Sequence, residues 1–184
     1  MLNYTMKKLL YPFFLLLSVW VNAQNYTPVD AGSKLHFVIK NLGINTGGDI
    51  TGLKGKIIFD AKNTPKCFFD VTVNVKTIDT DNGKRDEHLK KEEYFNADQY
   101  PTLHLVSTKI EAGADLKHFV FNGNLTIKNV TKPVSFLFTA EGKSGGALFV
   151  GYFEINRIDF GVGKESFSLS NKVKITLSAF AKAQ

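Results

Sequence analysis

The chain has 184 residues, of which 43% are hydrophobic, with 23 Lys and Arg against 17 Asp and Glu and one cysteine. This length suits one domain with a sizeable core, and the basic excess is mild and spread singly, unlike the concentrated basic face that nucleic-acid binding requires. A lone Cys67 permits no internal disulfide, so stability rests on packing.

The first segment reads as a cleaved secretory signal. Lys7 and Lys8 form a basic start, Leu9 to Val21 is an uncharged apolar run, and Val21-Asn22-Ala23 resembles a signal-peptidase site. The run is short of the ~20 residues needed to span a bilayer. Removing residues 1–23 takes away Lys7, Lys8 and no acid, leaving 21 basic against 17 acidic residues, a net charge of +4. A single exported domain over 24–184 is the expectation. The weak positive charge leaves room for transient contact with an anionic membrane surface. A homodimer is equally left open.

From residue 34 onward the dominant signal is period-two alternation, the mark of half-buried strands. Leu35, Phe37 and Ile39 alternate with polar neighbours, then Ile57 with Phe59, then Phe69, Val71, Val73 and Val75. Beyond a polar interval come Leu103 and Leu105, followed by Phe119, Phe121, Leu125 and Ile127. Val134, Phe136 and Phe138 follow, then Phe149, Phe153 and Ile155, and last Val173, Ile175 and Leu177. Eight strands result, separated by turn-prone stretches at 43–48, 62–65, 112–115, 128–129 and 142–146. Several short antiparallel strands at this spacing suggest a sandwich or a barrel. The inward face is rich in Phe, which either packs solid or lines a cavity for one apolar guest. Patterning does not separate those two.

The polar interval, Thr77 to Phe95, holds Asp79, Asp81, Asp86, Glu87 and His88. As a calcium loop starting at Asp79 it fails, with Gly83, Lys84 and Lys90 at positions needing a ligand, Gly and Glu. The histidines, His36, His88, His104 and His118, lack zinc-site spacing. No nucleophile motif accompanies Arg85, Asp86 and His88, the group an enzyme would use. The residue types fit a lid best. Lys84 to Lys91 favours helix, Asp81 or Asn82 could cap it, Leu89 and Phe95 would turn inward, and Tyr100-Pro101 would restart a strand.

The run Asp79 to Leu89, with Tyr94-Phe95-Asn96-Ala97-Asp98-Gln99-Tyr100-Pro101, resembles the signature of the YceI-like, polyisoprenoid-binding family. Gly123 to Val134 resembles that family's Gly-x-Leu-Thr…Gly-Val-Thr-Lys-Pro-Val strand pair, and Asn156 to Gly161 its Arg-x-Asp-Phe-Gly turn. The chain departs from the pattern at Asn41, at Asn129 in place of Gly, and at Ile50 and Leu53 in place of Phe. The resemblance implies an all-β fold, an eight-stranded antiparallel lipocalin-like barrel with a short helical excursion near 82–99. It implies a periplasmic carrier for a long isoprenoid lipid, either a polyprenyl chain or an isoprenoid quinone, with no catalytic residue; no metal site or cofactor is expected from the residues. It tips the Phe-rich interior toward a cavity. The expected wall is Leu35, Phe37, Ile39, Ile57, Phe59, Val71 and Val73, then Leu105, Phe119, Phe121, Phe136, Phe138, Phe149 and Phe153. Leu89 and Phe95 would form the inner face of the lid, and Arg85, Asp86 and Asp159 would tie it to the barrel. A filled structural or stress-response barrel, and an enzyme acting on an apolar substrate, are the alternatives.

Overall fold

The computed structural model describes residues 23–184, so the expected signal segment, apart from Ala23, lies outside the described residues. Ten strands run in chain order: β1 (Gln24–Pro28), β2 (Lys34–Asn41), β3 (Ile44–Ile50), β4 (Lys54–Phe59), β5 (Phe68–Asn74), β6 (Thr102–Ala112), β7 (His118–Ile127), β8 (Val130–Lys143), β9 (Gly146–Asn156) and β10 (Leu169–Ala183). One helix, α1 (Gly83–Lys90), lies between β5 and β6.

Eight strands close a ring in the order β1-β4-β5-β6-β7-β8-β9-β10, every neighbour antiparallel, and β1 closes it by pairing Tyr26 to Pro28 with Ala183 to Ala181 of β10. Closure leaves no open sheet edge along the ring. The other half of β10, Leu169 to Ser178, pairs with β2, which pairs with β3. β3 then joins the root of the polar interval, where Asp49 and Asp79 exchange backbone bonds of 2.8 and 3.0 Å.

Two strands exceed the eight read from the sequence. β1 is too short to show alternation. β3 runs through what reads as a glycine turn, because the turn itself is only Leu42-Gly43, at φ 48° and 79°. Gly47 and Gly48 are strand residues under close backbone approach. A Cβ on Gly48 would lie 2.6 Å from the Asp79 carbonyl oxygen, and one on Gly47 would lie 2.9 Å from that of Phe37. The β7–β8 hairpin turns on Lys128 and Asn129, both left-handed at φ 49° and 65°, which Asn tolerates where the family pattern has Gly. Val75, by contrast, is not strand. It sits fully buried in a 3-10 turn after β5.

The interior divides by height. At one end, under the β4–β5, β6–β7 and β8–β9 connections, Phe rings pack edge to face. Phe59 lies 5.0 Å from Phe119 and 5.3 Å from Phe149, and Phe69 lies 5.3 Å from Phe149, measured between ring centroids. Toward the other end, Phe121, Phe136 and Phe153 stack in a row across β7, β8 and β9, at 4.7 and 4.5 Å.

Candidate ligand cavity

Above the packed Phe cluster the barrel is hollow. A cavity of about 400 Å3 opens there, within the range typical of small-molecule sites. Its wall is built from the inward parity of β2 and β4–β10. Leu35, Phe37 and Ile39 come from β2, Ile57 from β4, Val71 and Val73 from β5, and Leu105 from β6. Phe121, Phe136, Phe138, Phe149 and Phe153 form the aromatic side. Gly151 admits this stack, since a Cβ there would come within 2.8 Å of the Phe136 ring.

Two residues expected in the wall are elsewhere. Phe59 and Phe119 have the right parity but sit lower, inside the packed cluster, where Phe119 is fully buried. Parity fixes which face a side chain occupies, not its height along the barrel. Conversely, Thr46 and Ile50 on β3, and Leu53 after it, line the cavity unanticipated, because the glycine-rich stretch hid their strand. Val173, Ile175 and Leu177 line it too, and their alternation was a legible signal.

The polar interval forms a lid over the hollow end. Asn82 caps α1, its Oδ1 accepting from the Arg85 N–H at 3.1 Å. Leu89 and Phe95 face down onto Ile50, Leu53, Val73 and Ile78. Both line the cavity. Lys84 and Glu87 on the outer side of the helix stay in water, which is how so polar a segment closes so apolar a space.

The lid's fastening differs from expectation. Arg85 donates from Nε to Thr80 Oγ1 at 2.8 Å and from Nη2 to the Thr80 carbonyl at 2.6 Å. Asp86, buried, accepts from the Thr80 N–H at 3.0 Å and from its hydroxyl. Both thus hold the lid's own root. Asp159 stays in its turn, accepting from Asn156 Nδ2 at 3.1 Å. The outer clasp is Lys128, whose ammonium donates to the carbonyls of Glu92 on the lid and Gly161 on the β9–β10 loop, both at 2.9 Å. Gly163 N–H adds a bond to the Glu93 carbonyl at 2.9 Å.

Arg157 is the buried cation of this end, 3% exposed, and borders the cavity. Nε donates to Ser170 O, Nη1 to Val162 O, and Nη2 to Lys164 O at 2.9, 2.8 and 2.8 Å. Nη2 also reaches Leu169 O and Asn171 Oδ1 at 3.3 and 3.2 Å. Burial pushes the guanidinium below its ordinary pKa, opposed by the nearby Tyr94 phenol and Glu165 carboxylate. Its acceptors are neutral, so it acts as a staple for the loop after β9. The remaining titratable groups do not converge. His36 pairs with Asp49 at 2.6 Å, His104 with Asp70 at 2.8 Å, His118 with Asp115 at 2.9 Å, and His88 packs its ring 4.9 Å from Tyr94.

A YceI-like domain model matches residues 26–181. The chain belongs to the YceI-like family. A UPF0312 protein of Shewanella denitrificans is 30% identical over 174 residues, covering 89% of this chain and 90% of that one. A UPF0312 protein of Pseudomonas aeruginosa is 32% identical over 151 residues, covering 78% of each. Among solved structures, BcnA of Burkholderia cenocepacia superposes with a TM-score of 0.77 at 23% identity, covering 83% of this chain and 98% of its own. A polyisoprenoid binding domain from Saccharophagus degradans, implicated in plant cell wall breakdown, gives a TM-score of 0.66 at 12% identity, covering 89% and 100%. At these identities the two structures speak to the YceI-like fold alone.

Proposed function

We propose that this YceI-like protein is a periplasmic carrier that holds a long isoprenoid lipid, a polyprenyl chain or the tail of an isoprenoid quinone, in its barrel. The observation that carries this reading is the 400 Å3 cavity, walled by aliphatic and Phe side chains and roofed by Leu89 and Phe95. Binding there is apolar burial. Each CH2 leaving water contributes roughly 0.8 kcal/mol, so a branched hydrocarbon tail needs few polar contacts. The wall residues named above are the proposed contacts, with Phe59 and Phe119 left to packing. The isoprenoid named for the Saccharophagus domain agrees with this guest.

A binding role is favoured over catalysis by how the acid–base candidates are used. Arg85 and Asp86 are both spent on Thr80, and His88 packs against Tyr94. Residues 1–23, read as a signal, supply the export route. Mass spectrometry of an organic extract of natively purified protein tests the carrier reading. A stoichiometric polyprenyl or quinone species is the expected result. Extracts empty of isoprenoid, from detergent-free preparations that also fail to take up added geranylgeraniol, would refute it.

A further inference from the structure

The mouth of the cavity carries an exposed apolar tip. Leu42, in the β2–β3 turn, and Ile44, just after it, are each 72% exposed, and Phe167 stands wholly in solvent. They belong together. Leu42 N–H donates to the Ser168 carbonyl at 2.7 Å, which sets Phe167, one residue earlier, beside the turn. The tip is also continuous with the wall beneath it, since Asn41 pairs with Leu169 and both border the cavity.

We propose that this tip is a membrane-docking surface, inserted into the headgroup region of a phospholipid bilayer so that the cavity mouth opens onto the lipid from which its guest comes. The proposal rests on the carrier reading above. Three side chains on a narrow projection are far smaller than the ~800 Å2 per partner of a stable protein interface. They suit shallow insertion, where apolar side chains enter the boundary and flanking cations reach phosphates. Lys40 and Lys164 flank the tip, both exposed and neither in an ion pair among the described residues, with Glu165 the one acid in the loop segment 161–168. The other exposed apolar residue on a loop, Leu116, lies at the packed end, away from the cavity. It provides an internal control.

Flotation of the purified protein with vesicles of phosphatidylethanolamine and phosphatidylglycerol, free of isoprenoid, is the test. The Leu42→Ser, Ile44→Ser, Phe167→Ser triple variant is expected to lose vesicle partitioning by about tenfold or more, because burying even one such side chain is worth roughly that factor. Leu116→Ser is expected to bind as wild type. Circular dichroism confirms the variants' fold, and geranylgeraniol titration in solution reads the cavity separately. Failure of the wild type to float, equal flotation of the triple variant, or conversion of a dimer to monomer by the triple variant would overturn the proposal. Vesicle binding that depends on the tip, without geranylgeraniol uptake, would instead refute the carrier reading and leave the docking surface standing.

Discussion

Phe119 and Phe153 share parity on adjoining parts of the same wall, yet removing them should have unequal consequences. Phe119 is fully buried, with ring neighbours at 5.0 Å (Phe59) and 5.4 Å (Phe138). Phe119→Ala leaves a closed void in the packed end and is expected to cost about 3–5 kcal/mol. Against a typical unfolding free energy of about 5–15 kcal/mol, that is a large share but not the whole. Phe153 is only partly buried and packs on Phe136 at 4.5 Å, with its other side toward the cavity. Phe153→Ala deletes atoms that already lacked partners on one side, so about 1–2 kcal/mol is expected, below the cost of a fully packed ring. Urea unfolding followed by far-ultraviolet circular dichroism measures both. Geranylgeraniol titration should show unchanged affinity for Phe119→Ala and altered affinity for Phe153→Ala. Equal destabilisation of the two variants would mean that both ends are packed alike, and the division into solid base and hollow top would fall.

Lys128→Met removes the clasp between lid and β9–β10 loop, and isoprenoid release measured by stopped flow should quicken several-fold while stability falls by about 1 kcal/mol or less. Arg157→Gln removes most of the donors to five acceptors, of which the Val162 carbonyl is buried and most of the others half-buried, and should destabilise by about 2–4 kcal/mol in thermal unfolding. Arg157→Lys should not rescue it, because three donors on a point charge cannot replace a five-donor fork. Burial raises the Cys67 thiol above its ordinary pKa, largely by desolvation. Its share of stability is therefore full below the unfolded thiol's pKa and is lost as pH rises toward the folded value. A Cys67→Ala variant should show a flatter alkaline stability profile, and native Cys67 should resist thiol reagents until the protein unfolds.

What the sequence disclosed follows from periodicity, and what it withheld follows from depth and long-range contact. Alternation placed Phe121, Phe136 and Phe153 on the inner face, and the Asn82 cap with Leu89 and Phe95 foretold the lid. Alternation cannot say that Phe59 and Phe119 meet across the barrel while Phe121 and Phe153 look into space, because that depends on opposite walls. β3 was hidden because Gly47 and Gly48, which locally signal a turn, answer to the carbonyls of Phe37 and Asp79. The Lys128 clasp was invisible for a similar reason, since its two acceptors lie 36 and 33 residues away in the chain.

The hollow top is itself a stability term. At about 24 cal/mol per Å3 of unfilled interior, a 400 Å3 apolar cavity left wholly empty would forgo up to about 10 kcal/mol of packing, as much as a typical domain's entire stability. The edge-to-face Phe cluster below and the ring closure through β1 and β10 offset part of this, so the barrel can stand without a guest. A guest that fills the space recovers some of the rest, and one bound at 100 times its Kd adds about 2.7 kcal/mol by mass action alone. Protein as isolated should therefore melt higher than the same protein after organic extraction and refolding, and geranylgeraniol should restore the difference in calorimetry. The Lys128→Met variant should show the same equilibrium gain within about 1 kcal/mol, since the clasp governs release more than burial. Identical melting temperatures before extraction, after it, and on re-addition of lipid would show that the cavity gains nothing from being filled, and the link between hollowness and carriage would be broken.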